Sequence, residues 1–183
     1  MKLLIDSSTS FAVVALMDGA KTTFKMVEGR NTHSKTLLSV VDKVLQESSV
    51  QLDSLTAIIV GEGPGSYTGA RIAVTIAKMF SLQLNIPLFA FDSLSLFATG
   101  SSLIAVQIPL KRSTVLGGVY DMSQARIIHP ARYYDEAEWL TLTQGIPVIT
   151  PHQTSVQLDQ LVLREIKDVN QFQPNYAREW QPT

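Results

Sequence analysis

The chain has 183 residues, 15 of them Lys or Arg and 16 Asp or Glu, giving a net charge of −1, and 45% are hydrophobic. This balance excludes a highly charged disordered tail, and the lack of a basic field argues against a protein whose main business is gripping a phosphate backbone. Cysteine is absent, which excludes disulfides, thiolate metal ligands and cysteine nucleophiles and suits a reducing cytoplasm.

Lys2–Ile5 reads as a short strand ending in the turn-forming cluster Asp6-Ser7-Ser8-Thr9-Ser10. The acid at position 6 speaks against an export signal, and the longest apolar runs fall far short of the roughly 20 residues of a membrane span. A cytoplasmic protein without membrane contact is expected. Phe11–Met17 is a second strand, Asp18-Gly19 a hairpin turn and Thr22–Val27 a third strand. Asn31 or Thr32 caps a helix in which Leu37, Leu38, Val41, Val44 and Leu45 recur at helical spacing, and Ser48 and Ser49 end it.

Leu55–Val60 is apolar almost throughout, as in a strand covered on both faces. It runs into Gly61-Glu62-Gly63-Pro64-Gly65-Ser66, a helix from Tyr67 to Leu84 stopped by Asn85 and Pro87, a strand at Leu88–Phe91, and a short helix at Ser93–Thr99 closed by Gly100. Further on, Leu103–Ile108, Val115–Tyr120 and Arg126–Ile128 read as strands, and Glu136–Thr143 and Val156–Val169 as helices. The order β-β-β-α-β-α-β-α is thus followed by a partial echo. Two related α/β halves are expected, an N-terminal domain at 1–100 and a reduced C-terminal domain at 101–183.

The turn at 61–69 is the most informative segment. A glycine-rich strand-to-helix turn can offer backbone N–H groups to an anion. Yet Gly65 is followed by Ser66-Tyr67 rather than Gly-Lys, Gly69 comes one residue too late for a dinucleotide fingerprint, and Pro64 and Thr68 flank Ser66 where a nucleophile elbow has glycines. The competing reading is structural: glycines for a tight turn and Ser66 as helix cap. In the following helix only Arg71 and Lys78 are charged, and apolar or small residues lie nearly all round. Such a helix is expected to be covered on two sides, either by both halves of the chain or by another polypeptide.

Other constellations are weaker. His33, His129 and His152 form no metal-ligand spacing, and no metal site is expected. A Ser66–histidine–Asp92 triad can be drawn only on paper. Lys111, Arg112, Arg126 and Arg132 form a mild basic cluster, a solvated face with RNA contact as a minor option.

Asp6-Ser7-Ser8-Thr9 resembles the phosphate hairpin of the actin, sugar-kinase and heat-shock ATPase superfamily, with Ser8 in place of its glycine. No Asp or Glu lies between Ser93 and Tyr120 to play the second acid. Gly61-x-Gly63-Pro64-Gly65-Ser66-Tyr67-Thr68-Gly69-x-Arg71-Ile72 resembles the signature of the bacterial TsaB (YeaZ) family, and Leu4–Thr9, Asn31-x-His33-Ser34 and Pro174-x-Tyr176-x-Arg178 agree with it. The chain departs at Pro109–Tyr120, which keeps Val119-Tyr120 but lacks two acids many members carry, and in its short second half.

The resemblance implies an α/β protein of two actin-like (ASKHA, ribonuclease H-like) halves, the second reduced. It also implies a non-catalytic subunit in threonylcarbamoyladenosine formation on tRNA. The expected partners are TsaD, which performs the transfer, and TsaE, an ATPase, with a homodimer when the partner is absent. ATP and metal are expected on the partners and no cofactor on this chain, with tRNA contact indirect or weak. The joint is expected to use the first two helices of the N-terminal half. Helix geometry nominates Tyr67, Ala70, Arg71, Val74, Ala77 and Lys78 for it, beside the motif turn of Gly61, Gly63, Pro64, Gly65, Ser66 and Gly69. The rival readings are a hydrolase or peptidase and an independent nucleotide-binding protein using the Asp6 hairpin.

Overall fold

The computed structural model describes residues 1–19, 21–28, 33–100 (backbone alone over 33–36), 102–151 and 156–177. The expected cap at Asn31 or Thr32 and the residues His152 and Arg178 lie outside the described residues. The chain forms two compact units. The first comprises Met1–Glu62, Ser66–Phe91 and Leu163–Asn175, and the second Gly63–Gly65, Asp92–Val162 and the chain from Tyr176. The boundary therefore falls after Phe91 rather than near residue 100, and a C-terminal stretch returns to the first unit.

In the first unit, β1 (Lys2–Asp6), β2 (Phe11–Asp18) and β3 (Lys21–Glu28) form the expected antiparallel meander, with Leu4 opposite Ala15 and Val14 opposite Lys25. α1 (His33–Glu47) follows, then β4 (Ala57–Gly61), α2 (Tyr67–Leu84) and β5 (Leu88–Phe91). β1, β4 and β5 run parallel, with Leu4 beside Ile59 and Ile59 beside Phe89, because helical crossovers connect them. Period-2 alternation sends Leu3, Ile5, Val14, Ile58, Val60 and Leu88 into one core. There they meet Leu37, Val41 and Val44 of α1 and Ala73, Val74, Ala77 and Phe80 of α2. Each fully buried side chain of this kind contributes about 1.5–3 kcal/mol. α2 ends where Asn85 turns left-handed (φ 52) and its amide returns to the Ser81 carbonyl.

In the second unit, β6 (Leu103–Pro109), β7 (Thr114–Asp121), β8 (Arg126–Asp135), α3 (Glu136–Leu142) and β9 (Val148–Ile149) build a sheet in the order β8-β7-β6-β9. α3 starts at Asp135, whose carboxylate accepts the Ala137 amide at 3.1 Å. It carries Trp139, which is 1% exposed and donates from its indole to Gln107 at 2.6 Å. The indole lies on Gly117, where a β-carbon would come within 2.5–2.8 Å of three ring atoms. Ser93–Phe97 is a 3-10 helix rather than an α-helix.

The helix expected at 156–169 does not form. The segment instead contributes β10 (Arg164–Glu165), which pairs antiparallel with β5 at the end of the first sheet. Ile166 and Phe172 enter that unit's core, with Val169 packed against it. A vacant sheet edge and a core lacking apolar cover outweigh the helical periodicity of the segment.

If this stretch is docked, Phe172→Ala removes a core side chain and costs about 3 kcal/mol. Leu163→Ala, at 38% exposure, changes stability by less than about 0.5 kcal/mol. Urea unfolding of the two variants checks this, and equal midpoints would contradict the docking.

Candidate functional site

Asp6, Ser7 and Ser8 at the β1–β2 hairpin are 0% exposed. The Asp6 carboxylate accepts the Ser8 amide at 2.9 Å, and the Ser7 hydroxyl donates to the Gly69 carbonyl at 2.8 Å. Position 69 has no alternative to glycine, since a β-carbon there would sit 1.8 Å from the Ser7 carbonyl oxygen. Ser66 caps α2: its hydroxyl accepts the Gly69 amide at 3.2 Å, its carbonyl the Ala70 amide at 2.9 Å, and its own amide donates to the Ser8 carbonyl at 2.5 Å. Gly63 takes φ +98 and exchanges two hydrogen bonds with Ser93, both at 2.9 Å. Gly61, Gly63 and Pro64 are buried, while Gly65 and Ser66 are half-buried.

The amides of Ser8, Ser66, Gly69 and Ala70 thus already donate within the protein. The turn docks the start of α2 onto the first hairpin, the structural one of the two sequence readings.

On α2, Tyr67 is 56%, Met79 45% and Leu82 52% exposed. With exposed Arg71 and Thr75 they form one stripe, advancing by four residues and then three. The Arg71 guanidinium lies 5.4 Å from the centre of the Tyr67 ring, a cation–π contact. On α1, Leu38 is exposed among Ser39, Asp42, Lys43, Gln46 and Glu47.

This arrangement corrects the nominated contact set. Tyr67 and Arg71 are on the exposed side. Ala70, Val74 and Ala77, at 1%, 3% and 0% exposure, face the unit's own core. Residues 70 and 71 are neighbours in sequence but about 100° apart around a helix, and here 70 turns to the core and 71 to solvent. Lys78 is half-buried and donates to the carbonyls of Asn170 at 2.8 Å and Phe172 at 2.9 Å. Thr75, Met79 and Leu82, which the sequence reading did not nominate, share the exposed side with Tyr67 and Arg71; stepping by helical spacing from Tyr67 would have found them.

The remaining candidates separate. Asp92 accepts the Leu94 and Ala131 amides, each at 3.0 Å, and the Ser66 hydroxyl is engaged as a cap. Burial, followed by the nearby Asp92 charge, pushes the Tyr120 phenol well above its ordinary pKa. Lys111 and Arg112 lie in the β6–β7 turn, whereas Arg126 pairs opposite Asp121 at the far end of β7, about 23 Å away along a strand. Arg132 stacks on Tyr134 at 3.8 Å and bridges Glu138 at 2.6 Å. The four cations do not form one patch. Among the described residues no three His, Asp or Glu side chains gather to hold a metal ion, and no helix is long and apolar enough to cross a membrane.

Comparison with known proteins adds the family. The family model described as TsaD: tRNA N6-adenosine threonylcarbamoyltransferase matches residues 13–116. The tRNA threonylcarbamoyladenosine biosynthesis protein TsaB of Bacillus subtilis (strain 168) is 31% identical over 119 residues, 62% of this chain and 52% of that protein. TsaB of Buchnera aphidicola subsp. Schizaphis graminum is 34% identical over 97 residues, 52% of this chain and 46% of that one. Among solved structures, YeaZ from Pseudomonas aeruginosa superposes with a TM-score of 0.68 at 27% identity, over 73% of this chain and 67% of that one.

The chain belongs to the TsaB/YeaZ family, within the wider family of the TsaD model. It spans about half the length of the curated relatives it matches. The structure of an uncharacterized protein with similarity to peptidase YeaZ from Pseudomonas aeruginosa extends the likeness of fold, with a TM-score of 0.76 at 22% identity over 97% of this chain and 99% of that one. The actin-like α/β fold expected from the sequence is present.

Three substitutions separate the two sides of α2. Gly69→Ala clashes with backbone and costs about 3 kcal/mol, and Ser66→Ala costs about 1 kcal/mol as a lost cap. Leu82→Asp, on the exposed stripe, stays within about 0.5 kcal/mol of the parent. Urea titrations followed by circular dichroism rank them, and a Leu82→Asp cost as large as that of Gly69→Ala would place Leu82 in the core.

Proposed function

We propose that this chain is a non-catalytic activator subunit of a tRNA-modifying assembly. In this reading it pairs with TsaD through the exposed side of α2, assisted by Leu38 of α1, and supports threonylcarbamoyl transfer to adenosine in tRNA. TsaE joins the same assembly, and the same surface makes a homodimer when TsaD is absent. The chain carries no cofactor of its own; ATP and metal belong to the partners, and the reaction is cytoplasmic.

The observation that carries this reading is the stripe Tyr67, Arg71, Thr75, Met79 and Leu82 on a helix whose other side is core. Aromatic, methionine and arginine side chains are the residue types enriched at protein interfaces. The printed names of the relatives, biosynthesis proteins of threonylcarbamoyladenosine, supply the reaction. Engagement of the Asp6 hairpin and of the Ser66 turn in internal hydrogen bonds supports a scaffolding role over hydrolysis or independent nucleotide binding.

The pair Met79→Asp and Leu82→Asp tests the reading. Each weakens association with TsaD by about thirtyfold or more, the effect of an interface hot spot, and the double variant fails to support modification in a reconstituted reaction while remaining folded. Full TsaD binding by the folded double variant would rule the surface out.

A further inference from the structure

Leu163–Asn175 returns to the first unit and is held there by contacts of several kinds. The Ile166 amide donates to the Leu88 carbonyl at 2.9 Å and the Asn175 amide to the Glu62 carbonyl at 2.7 Å. Arg164 bridges the Glu62 carboxylate at 2.6 Å, with 60% of its side chain in solvent. Solvent at the Arg164 end weakens the pair, although the Glu62 side chain is only 17% exposed. Ile166 and Phe172 are the two buried anchors.

From the middle of α2, the Lys78 ammonium binds two main-chain carbonyls of the segment, Asn170 and Phe172. Charge-assisted bonds of this kind are the strong ones. Glu62 stands just before the turn that leads into α2, and Lys78 lies within the helix. The segment therefore grips both the entry of α2 and its body. Its strand is two residues long, and a stretch with few buried side chains belongs to the part of a fold that opens first.

We propose that residues 163–175 are a releasable latch, keyed by Lys78, whose docked state fixes the pose of α2 and so sets how well the Tyr67–Leu82 stripe engages its partner. The proposal rests on the assignment of that stripe as the partner-binding surface. Release breaks no covalent bond; it uncovers Ile166 and Phe172, frees the Leu88 carbonyl at the sheet edge, and lets α2 shift. A partner that binds only the docked form then sees its apparent affinity fall in proportion to the docked fraction.

Hydrogen exchange and calorimetric titration with the cognate TsaD test the latch. In Lys78→Met, and separately in Phe172→Ala, which leaves the stripe untouched, the Ile166 and Asn175 amides exchange about tenfold faster or more. The β1 and β4 amides stay protected, and in both variants the Kd for TsaD rises by the inverse of the docked fraction, about tenfold where one molecule in ten stays docked. Met79→Asp weakens binding with exchange of the segment unchanged. Unaltered exchange in Lys78→Met, a segment left mostly undocked at constant Kd, or a Kd rise confined to Lys78→Met overturns the latch and leaves the surface assignment standing. Full binding by Met79→Asp overturns the assignment and the coupling with it.

Discussion

The Ser7 carbonyl oxygen occupies the space a side chain at position 69 would need, with 1.8 Å separating it from an ideal β-carbon. That approach fixes where α2 begins. β1 lies in the sheet between β2 and β4, so a helix leaving β4 and pressed against the β1–β2 hairpin must run back across the face that holds Leu3, Ile5, Ile58 and Val60. The Ser7 hydroxyl on the Gly69 carbonyl and the Ser66 amide on the Ser8 carbonyl hold the helix start from two directions. Backbone meets backbone here, which leaves little freedom for adjustment. The hairpin thus holds the start of a helix of its own chain.

From that anchoring follow the two sides of α2. Ala70, Ala73 and Ala77 are small where the helix comes close to the sheet, and Val74 and Phe80 fill what remains. The opposite side keeps Tyr67, Met79 and Leu82 in water. Scattered exposed apolar residues are ordinary on a protein surface; here three lie on one side of one helix, with an arginine over the aromatic ring. The second unit solves a different problem with different means. Trp139, brought by the short α3, packs with Val115, Val119 and Tyr134 in a core of its own.

Much of the first unit was legible in the residues. Alternation and the Asp18-Gly19 turn specified the meander, and the Ser66 cap with Asn85 and Pro87 gave α2 its bounds of 67 and 84. The glycine-rich segment was legible as a family signature, although the reason for Gly69, a contact with a residue 62 positions away, was not. Ala70, Val74 and Ala77 turn to the core rather than outward, which the sequence did not reveal because a helix apolar nearly all round gives no polar side by which to orient it. The segment at 156–169 failed for another reason. Leu158, Leu161, Val162, Ile166 and Val169 fit a helical repeat, but the local pattern carried no sign that the edge of β5 was open to receive a strand. Local pattern specifies an element only where tertiary demand agrees with it.

Gly117 and Trp139 illustrate how such fitting constrains change over time. The indole rests where any larger residue at 117 would stand, and its nitrogen is fixed by Gln107. Neither position is free to drift alone: enlarging one demands shrinking the other, and a smaller ring would leave the Gln107 amide without its donor. Substitution at any one of the three therefore costs stability unless the others change with it.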